Sequence, residues 1–267
     1  MAMRYNMEIT KENYFNLKSQ KLKRAEIAYR FSIPDWKLKK IIAKEGWGSK
    51  QIRYKYNGCF DFLNKNSAYW LGFFMADGCV TEDDRIRLML QKSDIAQLEK
   101  FKNFVGCEHK ISYTDKYPNR VSLEFTSKEI ATIFKQYNII PRKTLIATPP
   151  DPEIFKEYFS DYLRGFFDGD GTISESFSNK NSATATLYTG FAIAKQSYNW
   201  LDNILTNILN ISYKKFEKEN MYSITMNTNK SKTLLSYLYE TSQYENRLDR
   251  KYDLYVKTIV MDNRLTR

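Results

Sequence analysis

One apolar nine-residue element occurs twice in this chain. Trp70-Leu-Gly-Phe-Phe-Met-Ala-Asp-Gly78 returns 93 residues later as Leu163-Arg-Gly-Phe-Phe-Asp-Gly-Asp-Gly171. The segments downstream of the two copies also match. Leu88–Leu98 aligns with Phe191–Leu201 at an offset of 103 residues, and the extra ten fit the polar stretch Ser174–Ala185, which reads as a loop by composition. Arg120–Lys128 and Met221–Asn229 are alternating strands that lead into helices. Each copy reads as α-β-β-α-β-α, so the chain must fold as two like units about a pseudo-twofold axis. Four of the six prolines (Pro141, Pro149, Pro150 and Pro152) fall between the copies and predict an extended linker.

The apolar run of each element predicts a buried helix. Gly72 and Ala76 share one face of the first helix, as Gly165 and Gly169 do of the second. Small residues four apart let two helix backbones approach closely. Packing on those faces would bring the two C-terminal ends side by side, carrying Asp77 and Asp170, with Gly78 and Gly171 permitting the helix stop. Two carboxylates at two helix C-termini are electrostatically unfavourable, because the helix dipoles already place negative charge there. Divalent cations relieve this, and hard carboxylate oxygens suit Mg²⁺ or Ca²⁺. Metals held between paired carboxylates can activate water and orient a phosphodiester for hydrolysis. The single histidine, His109, and the three cysteines (Cys59, Cys79 and Cys107, without C-x-x-C spacing) leave little room for other catalytic plans and fit a reducing, cytoplasmic setting. No run is long enough for a membrane span.

The two elements resemble the LAGLIDADG motif of homing endonucleases, and their tandem arrangement resembles the single-chain, two-motif members. The resemblance covers roughly residues 67–260. It implies an α+β fold of two αββαββα units, with the motif helices at the centre and two antiparallel sheets forming a saddle over the major groove of DNA. It also implies that the acidic residue at the eighth motif position, here Asp77 and Asp170, binds the catalytic metals, with Gly78 and Gly171 beside them. Mg²⁺ is the implied productive ion and Ca²⁺ a non-productive one. Cleavage across the minor groove, leaving 3′ overhangs, is implied as well. Basic or amide residues near the metals match Gln91 and Lys92 in the first copy, and Ala194 and Lys195 in the second. Gln91, Lys92 and Lys195 therefore join the expected catalytic set. Asp168, two residues before Asp170, is expected to point elsewhere, and the first copy carries Met75 in its place.

The formal charge is +11, and most of it lies at the front: residues 1–66 hold 15 Lys/Arg against 6 Asp/Glu. Such an excess favours a polyanionic partner. Ile27–Leu38 fits a helix-turn-helix core, with Ser32 at the turn and a recognition helix from Pro34 to Lys44 presenting Trp36, Lys37, Lys39 and Lys40 to DNA.

The expected organisation is a basic helical segment over 1–60, a first unit over 67–145, a proline-rich linker over 146–158 and a second unit over 159–267. The function expected is that of a monomeric, metal-dependent endonuclease acting on a long asymmetric double-stranded target. A transcriptional regulator built on the same fold without cleavage is the main alternative, and both retained aspartates argue against it. An RNA maturase is a third reading. An intein is not expected, since neither an N-terminal Cys/Ser nucleophile nor a C-terminal His-Asn ending is seen.

Overall fold

The computed structural model describes residues 7–47, 53–114, 117–177 and 185–260, and divides the chain into two compact units that part at residues 52 and 53. The N-terminal unit contains helices α1 (Lys11–Ser19), α2 (Arg24–Arg30) and α3 (Asp35–Lys44) around Tyr14, Leu17, Ile27, Ala28, Phe31, Leu38 and Trp47. Thr10 caps α1 through its hydroxyl, and Pro34 stands just before α3, where its fixed φ suits a helix start. Ser32 lies between α2 and α3 at φ +54°, a left-handed backbone that disfavours residues with a Cβ.

The expected boundary at residue 60 is corrected. Residues 53–60 are basic in composition but pack on the larger unit: the Tyr54 hydroxyl donates to the Val105 carbonyl at 2.9 Å, and the Phe60 ring lies edge-on to Phe104 and Phe134.

The larger unit repeats one topology. Its first half runs α4 (Lys65–Ala76), β1 (Cys79–Val80), β2 (Arg85–Gln91), α5 (Ile95–Val105), β3 (Ser112–Thr114), β4 (Tyr117–Thr126), α6 (Lys128–Gln136) and a one-turn α7 (Lys143–Ile146). Its second runs α8 (Phe159–Asp170), β5 (Gly171–Phe177), β6 (Ala185–Ala194), α9 (Tyr198–Asn203), β7 (Lys214–Glu217), β8 (Met221–Met226), α10 (Thr228–Tyr239) and α11 (Asp249–Tyr255). The sheets are antiparallel with matching orders, β1-β2-β4-β3 and β5-β6-β8-β7. This is the α+β, two-unit αββαββα architecture.

Register fixes which sheet face is buried. Ile86, Leu88 and Leu90 stand opposite Phe125, Leu123 and Val121, and all six are buried. Alternation therefore turns Arg85, Arg87, Met89 and Gln91 to the other face. In the second sheet Phe191 faces Ile224 and Thr189 faces Met226, again buried.

Two local expectations fail. The polar stretch read as a loop from Ser174 is strand through Phe177, paired with Ala185–Tyr188, so β5 is longer than β1; its remainder, residues 178–184, lies outside the described residues. The proline-rich connection is packed rather than simply extended. Phe155 is fully buried and stacks on Tyr162 at 3.9 Å, and the Trp200 indole donates to the Pro150 carbonyl at 2.8 Å.

Among the described residues no helix is long and apolar enough to cross a membrane.

Candidate active site

Helix α4 is apolar nearly all round and buried on nearly all sides, as a central helix must be; α8 is buried as fully, but with Asp161, Arg164 and Asp168 among its buried residues. Asn64 starts α4 by accepting from the Asn66 and Ser67 amides, while the Ser67 hydroxyl accepts from the Asn64 amide, a capping box. The two helices meet through reciprocal glycines. A Cβ on Gly72 would stand 1.9 Å from the Tyr162 carbonyl oxygen, and one on Gly165 would stand 1.9 Å from that of Tyr69. One turn later a Cβ on Gly169 would meet the Ala76 Cβ at 2.4 Å. The small-residue faces seen in the sequence are the contact.

This crossing places Asp77 and Asp170 at neighbouring helix ends. The Asp170 carboxyl is pushed up to about 6, first by burial and then by the Asp77 carboxylate, against the pull of Lys143 and Lys251. Asp77 keeps an exposed flank, yet loss of water around it still raises its carboxyl, opposed by Lys251, Lys143, Arg120 and Arg250. Like-charge coupling of this kind is what a shared carboxylate site produces. The donor set fits a hard divalent cation, with oxygen ligands carrying negative charge that a dication would neutralise. Among the described residues no group of three or more His, Cys, Asp or Glu side chains stands ready as a complete cage. A cation here would share two carboxylates and take its other ligands from water or a substrate phosphate.

The lysines beside the carboxylates are Lys143 and Lys251. The half-buried Lys143 ammonium donates to the Ala76 carbonyl at 2.8 Å, closing the end of α4. The buried Lys251 ammonium donates to the carbonyls of Phe167 at 2.6 Å, Asp168 at 3.0 Å and Gly171 at 2.5 Å, closing the end of α8. Burial lowers both ammonium groups, Lys251 to about 8; Asp170 and Asp77 pull Lys143 back up, and Asp168, ahead of Asp77 and Asp170, does the same for Lys251. Sequence reading missed both, although each is the second residue of an Arg-Lys pair (Arg142-Lys143 and Arg250-Lys251) that follows the third helix of its repeat.

Of the residues expected on sequence grounds, Gln91 ends β2 on its exposed face opposite Arg120, and Ala194 ends β6 opposite Met221. Lys92 and Lys195 each open a short turn after those strands, in equivalent places. Both are exposed. Lys92 lies over the Tyr113 ring at 5.9 Å; Lys195 is ion-paired with Glu217 and lies 5.6 Å from the Tyr222 ring. Lys195 lines, with Lys143, Asp170, Gln196 and Met221, a cavity of about 530 Å³ beside the second carboxylate.

The role expected of Gly78 and Gly171 in stopping the helices by special backbone freedom is corrected. Neither has a positive φ; a Cβ would instead strike the Phe74 ring at 2.1 Å or the Phe167 ring at 2.2 Å. The Gly171 carbonyl, expected beside a metal, already accepts from Lys251. Asp168 does point elsewhere: it is buried and accepts from the Tyr69 hydroxyl at 2.8 Å, the Leu248 amide at 2.8 Å and the Tyr239 hydroxyl.

On α3 of the N-terminal unit, Trp36, Lys37, Lys39 and Lys40 are all exposed, with the Lys40 ammonium 5.3 Å from the Trp36 ring. Arg24 and Asp35 join the starts of α2 and α3 through two hydrogen bonds of 2.7 Å.

No protein-family model matches the chain, and no curated protein does. Solved structures do match in fold. The meganuclease I-SmaMI bound to uncleavable DNA is 14% identical, with 74% of this chain and 91% of that one covered and a TM-score of 0.51. The LAGLIDADG meganuclease I-AabMI bound to uncleaved DNA is 15% identical over 76% of this chain and 92% of that one, with a TM-score of 0.52. The LAGLIDADG homing endonuclease I-LtrWI bound to target DNA is 12% identical over 75% and 92%, with a TM-score of 0.51. The chain has the fold of the two-motif LAGLIDADG homing endonucleases.

Proposed function

We propose that this protein is a site-specific, metal-dependent DNA endonuclease that cuts both strands of a long asymmetric target as a monomer. The observation that carries the reading is the pairing of Asp77 and Asp170 at the carbonyl ends of α4 and α8, where burial and mutual repulsion hold Asp170 near 6. A chain that used this fold only to bind DNA would have no need to keep two charges in so unfavourable a place. Dissimilar halves joined in one chain suit an asymmetric target.

Asp77 and Asp170 would hold the divalent cations, with Mg²⁺ the productive ion and Ca²⁺ a non-productive substitute. The bound ions supply Lewis acidity and a lowered water pKa for phosphodiester hydrolysis. Gly78 and Gly171 follow the carboxylates where only glycine leaves room for the Phe74 and Phe167 rings, which lets each chain turn directly from helix end to strand. Lys143 and Lys251 hold the helix ends in place and set positive charge where a phosphate gains negative charge in the transition state. Gln91, Lys92 and Lys195 sit farther out, on the strand ends and the cavity rim, where they orient the phosphate backbone and its water. Met75 and Gln91 in the first half, against Asp168 and Ala194 in the second, make the two cutting centres chemically unequal. The I-SmaMI structures include one bound to uncleaved DNA with calcium ions and one bound to cleaved DNA.

The N-terminal unit would act as a helix-turn-helix, with α3 as the recognition helix and Trp36, Lys37, Lys39 and Lys40 meeting DNA. Binding selection from a randomised duplex library, followed by incubation of the recovered duplex with Mg²⁺ or Ca²⁺, tests the whole reading. An asymmetric site, cut on both strands in Mg²⁺ and left intact in Ca²⁺, is expected; tight specific binding with no cutting in Mg²⁺ or Mn²⁺ would make the protein a DNA-binding regulator.

A further inference from the structure

The two motif helices end alike but are supported differently. Behind α8, the Asp168 carboxylate gathers three donors: the Tyr69 hydroxyl from α4, the Tyr239 hydroxyl from the end of α10 and the Leu248 amide at the start of α11. Tyr69 is itself fixed by the Gln97 amide at 2.7 Å. Three residues past Leu248, the Lys251 side chain turns back and donates to the Asp168 carbonyl, among others. Asp168 therefore grips α11 twice, by its side chain at the helix start and by its backbone at the lysine.

The same short helix is tied to the first repeat. Arg250 donates to both Asp94 oxygens at 3.0 Å, and Lys100 reaches the Arg247 carbonyl at 2.9 Å and Asp249 at 2.7 Å. These pairs hold the far side of α11. Its near side, with its cap, is held to the end of α8 through Asp168, Phe167 and Gly171.

Among the described residues the first repeat lacks this device. Met75 occupies the position of Asp168, and Lys143 sits on the one-turn α7 after Arg142 at φ +59°, with the Ala76 carbonyl as its partner.

We infer that Asp168 is a positioning residue: it locks the start of α11 so that Lys251 is delivered to the carbonyl end of α8, an arrangement the first cutting centre does without. The inference rests on the proposed nuclease reading for its consequence, since Lys251 matters to cleavage only if the centre beside it cuts. The two centres then differ in preorganisation. Among the described residues Lys251 is held by three acceptors and a locked helix, whereas Lys143 is held by one acceptor on a short turn. Unequal strand cleavage, with a nicked intermediate, follows from that difference.

The test uses the full chain and two readouts. The first is independent of cleavage: acylation of lysines by an amine-reactive ester, read residue by residue by mass spectrometry. Asp168→Met, which copies the first motif, should speed acylation of Lys251 by about tenfold, the change in a local opening equilibrium expected when one such hydrogen bond is lost, and leave Lys143 unchanged. Asp168→Asn should behave as the parent protein, because its amide oxygen can still accept from Leu248 while its NH₂ group faces the Tyr239 oxygen. If Asp168→Met does not fold, Leu248→Pro removes the amide donor, at a φ of −85° that proline tolerates, together with part of the buried Leu248 side chain, while leaving Asp168 in place, and should expose Lys251 equally. The second readout is strand-resolved nicking of the selected duplex. Asp168→Met should slow the same single strand that Lys251→Met slows, with binding unchanged. Lys251 as protected as in the parent in both Asp168→Met and Leu248→Pro would overturn the inference. Lys251 exposed, with both strands still cut at parental rates, would uphold the positioning role and remove Lys251 from the proposed chemistry instead.

Discussion

Lys143 and Lys251 perform one task from opposite repeats: each ammonium closes the carbonyl end of its own motif helix, Lys143 at Ala76 and Lys251 at Phe167, Asp168 and Gly171. A cation at a helix C-terminus is favourable by itself. Here it also stands beside the carboxylate at the helix end, so the paired aspartates and paired lysines form one charged centre on a pseudo-twofold axis.

Lys143→Met and Lys251→Met are each expected to reduce the cleavage rate at saturating DNA by about 10²–10³, the usual loss when a preorganised positive group is removed from a developing oxyanion. Lys92→Met and Lys195→Met should fall by less than about tenfold, because both ammonium groups are solvated and Lys195 is already paired with Glu217. Single-turnover kinetics on the selected duplex distinguishes the two pairs.

Asp170 predicts a trade of stability for function. Its folded carboxyl titrates near 6, above the ordinary 3.8, so the folded state binds more protons than the unfolded state between those values. The stabilisation is complete below about pH 4 and is lost as pH rises through 6. At pH 7.5 without metal, Asp170→Asn should therefore raise stability by about 1–2 kcal/mol after allowance for residual solvent. Urea melts at pH 4 and 7.5 check the sign; an Asp170→Asn protein less stable than the parent at pH 7.5 would contradict it.

The glycine contact between α4 and α8 should tolerate no side chain. Gly72→Ala and Gly165→Ala each drive a methyl to within 1.9 Å of a backbone oxygen, where nothing flexible can yield. Each should cost about 3 kcal/mol or more, at or beyond the upper end of ordinary overpacking, and both should part the aspartates. Denaturant melts, read together with the Asp170 titration by NMR, measure the two effects at once.

The N-terminal unit predicts a salt signature. Replacing Lys37, Lys39 and Lys40 by Gln should reduce the slope of log K against log salt by about 2–3 if all three meet phosphate. Deleting residues 1–52, the whole unit at its structural boundary, should also shorten the protected DNA on one flank. Loss of base preference on that flank would show that α3 reads sequence; a uniform loss across sequences would make it an electrostatic tether.

Much of this centre was legible because its signal is local and doubled. Nine residues carry the helix, the contact face and the carboxylate, and the second copy removes the reading of a mere Asp-Gly turn. The strands β3 and β7 were not legible from pattern. Ser112-Tyr-Thr114 and Lys214-Lys-Phe-Glu217 are short sheet edges, and β7 is exposed throughout, so burial imposes no alternation there. Lys143 and Lys251 escaped for a different reason. They lie 66 and 81 residues beyond their aspartates, and only the return of the chain after α6 and α10 brings them back. The boundary at 52 was hidden by charge: Arg53 and Lys55 continue the basic composition, while Tyr54 and Phe60 already belong to the larger core.

The most direct measurement compares the parent protein with Asp77→Asn, Asp170→Asn and the double variant on the selected duplex, with binding by gel shift in Ca²⁺ and cleavage by denaturing gel in Mg²⁺. Binding within about threefold of the parent, together with loss of double-strand cutting by at least about 10³ in every variant, is the predicted result. A double variant that binds and still cuts both strands in Mg²⁺ would contradict the assignment of the metal centre to Asp77 and Asp170.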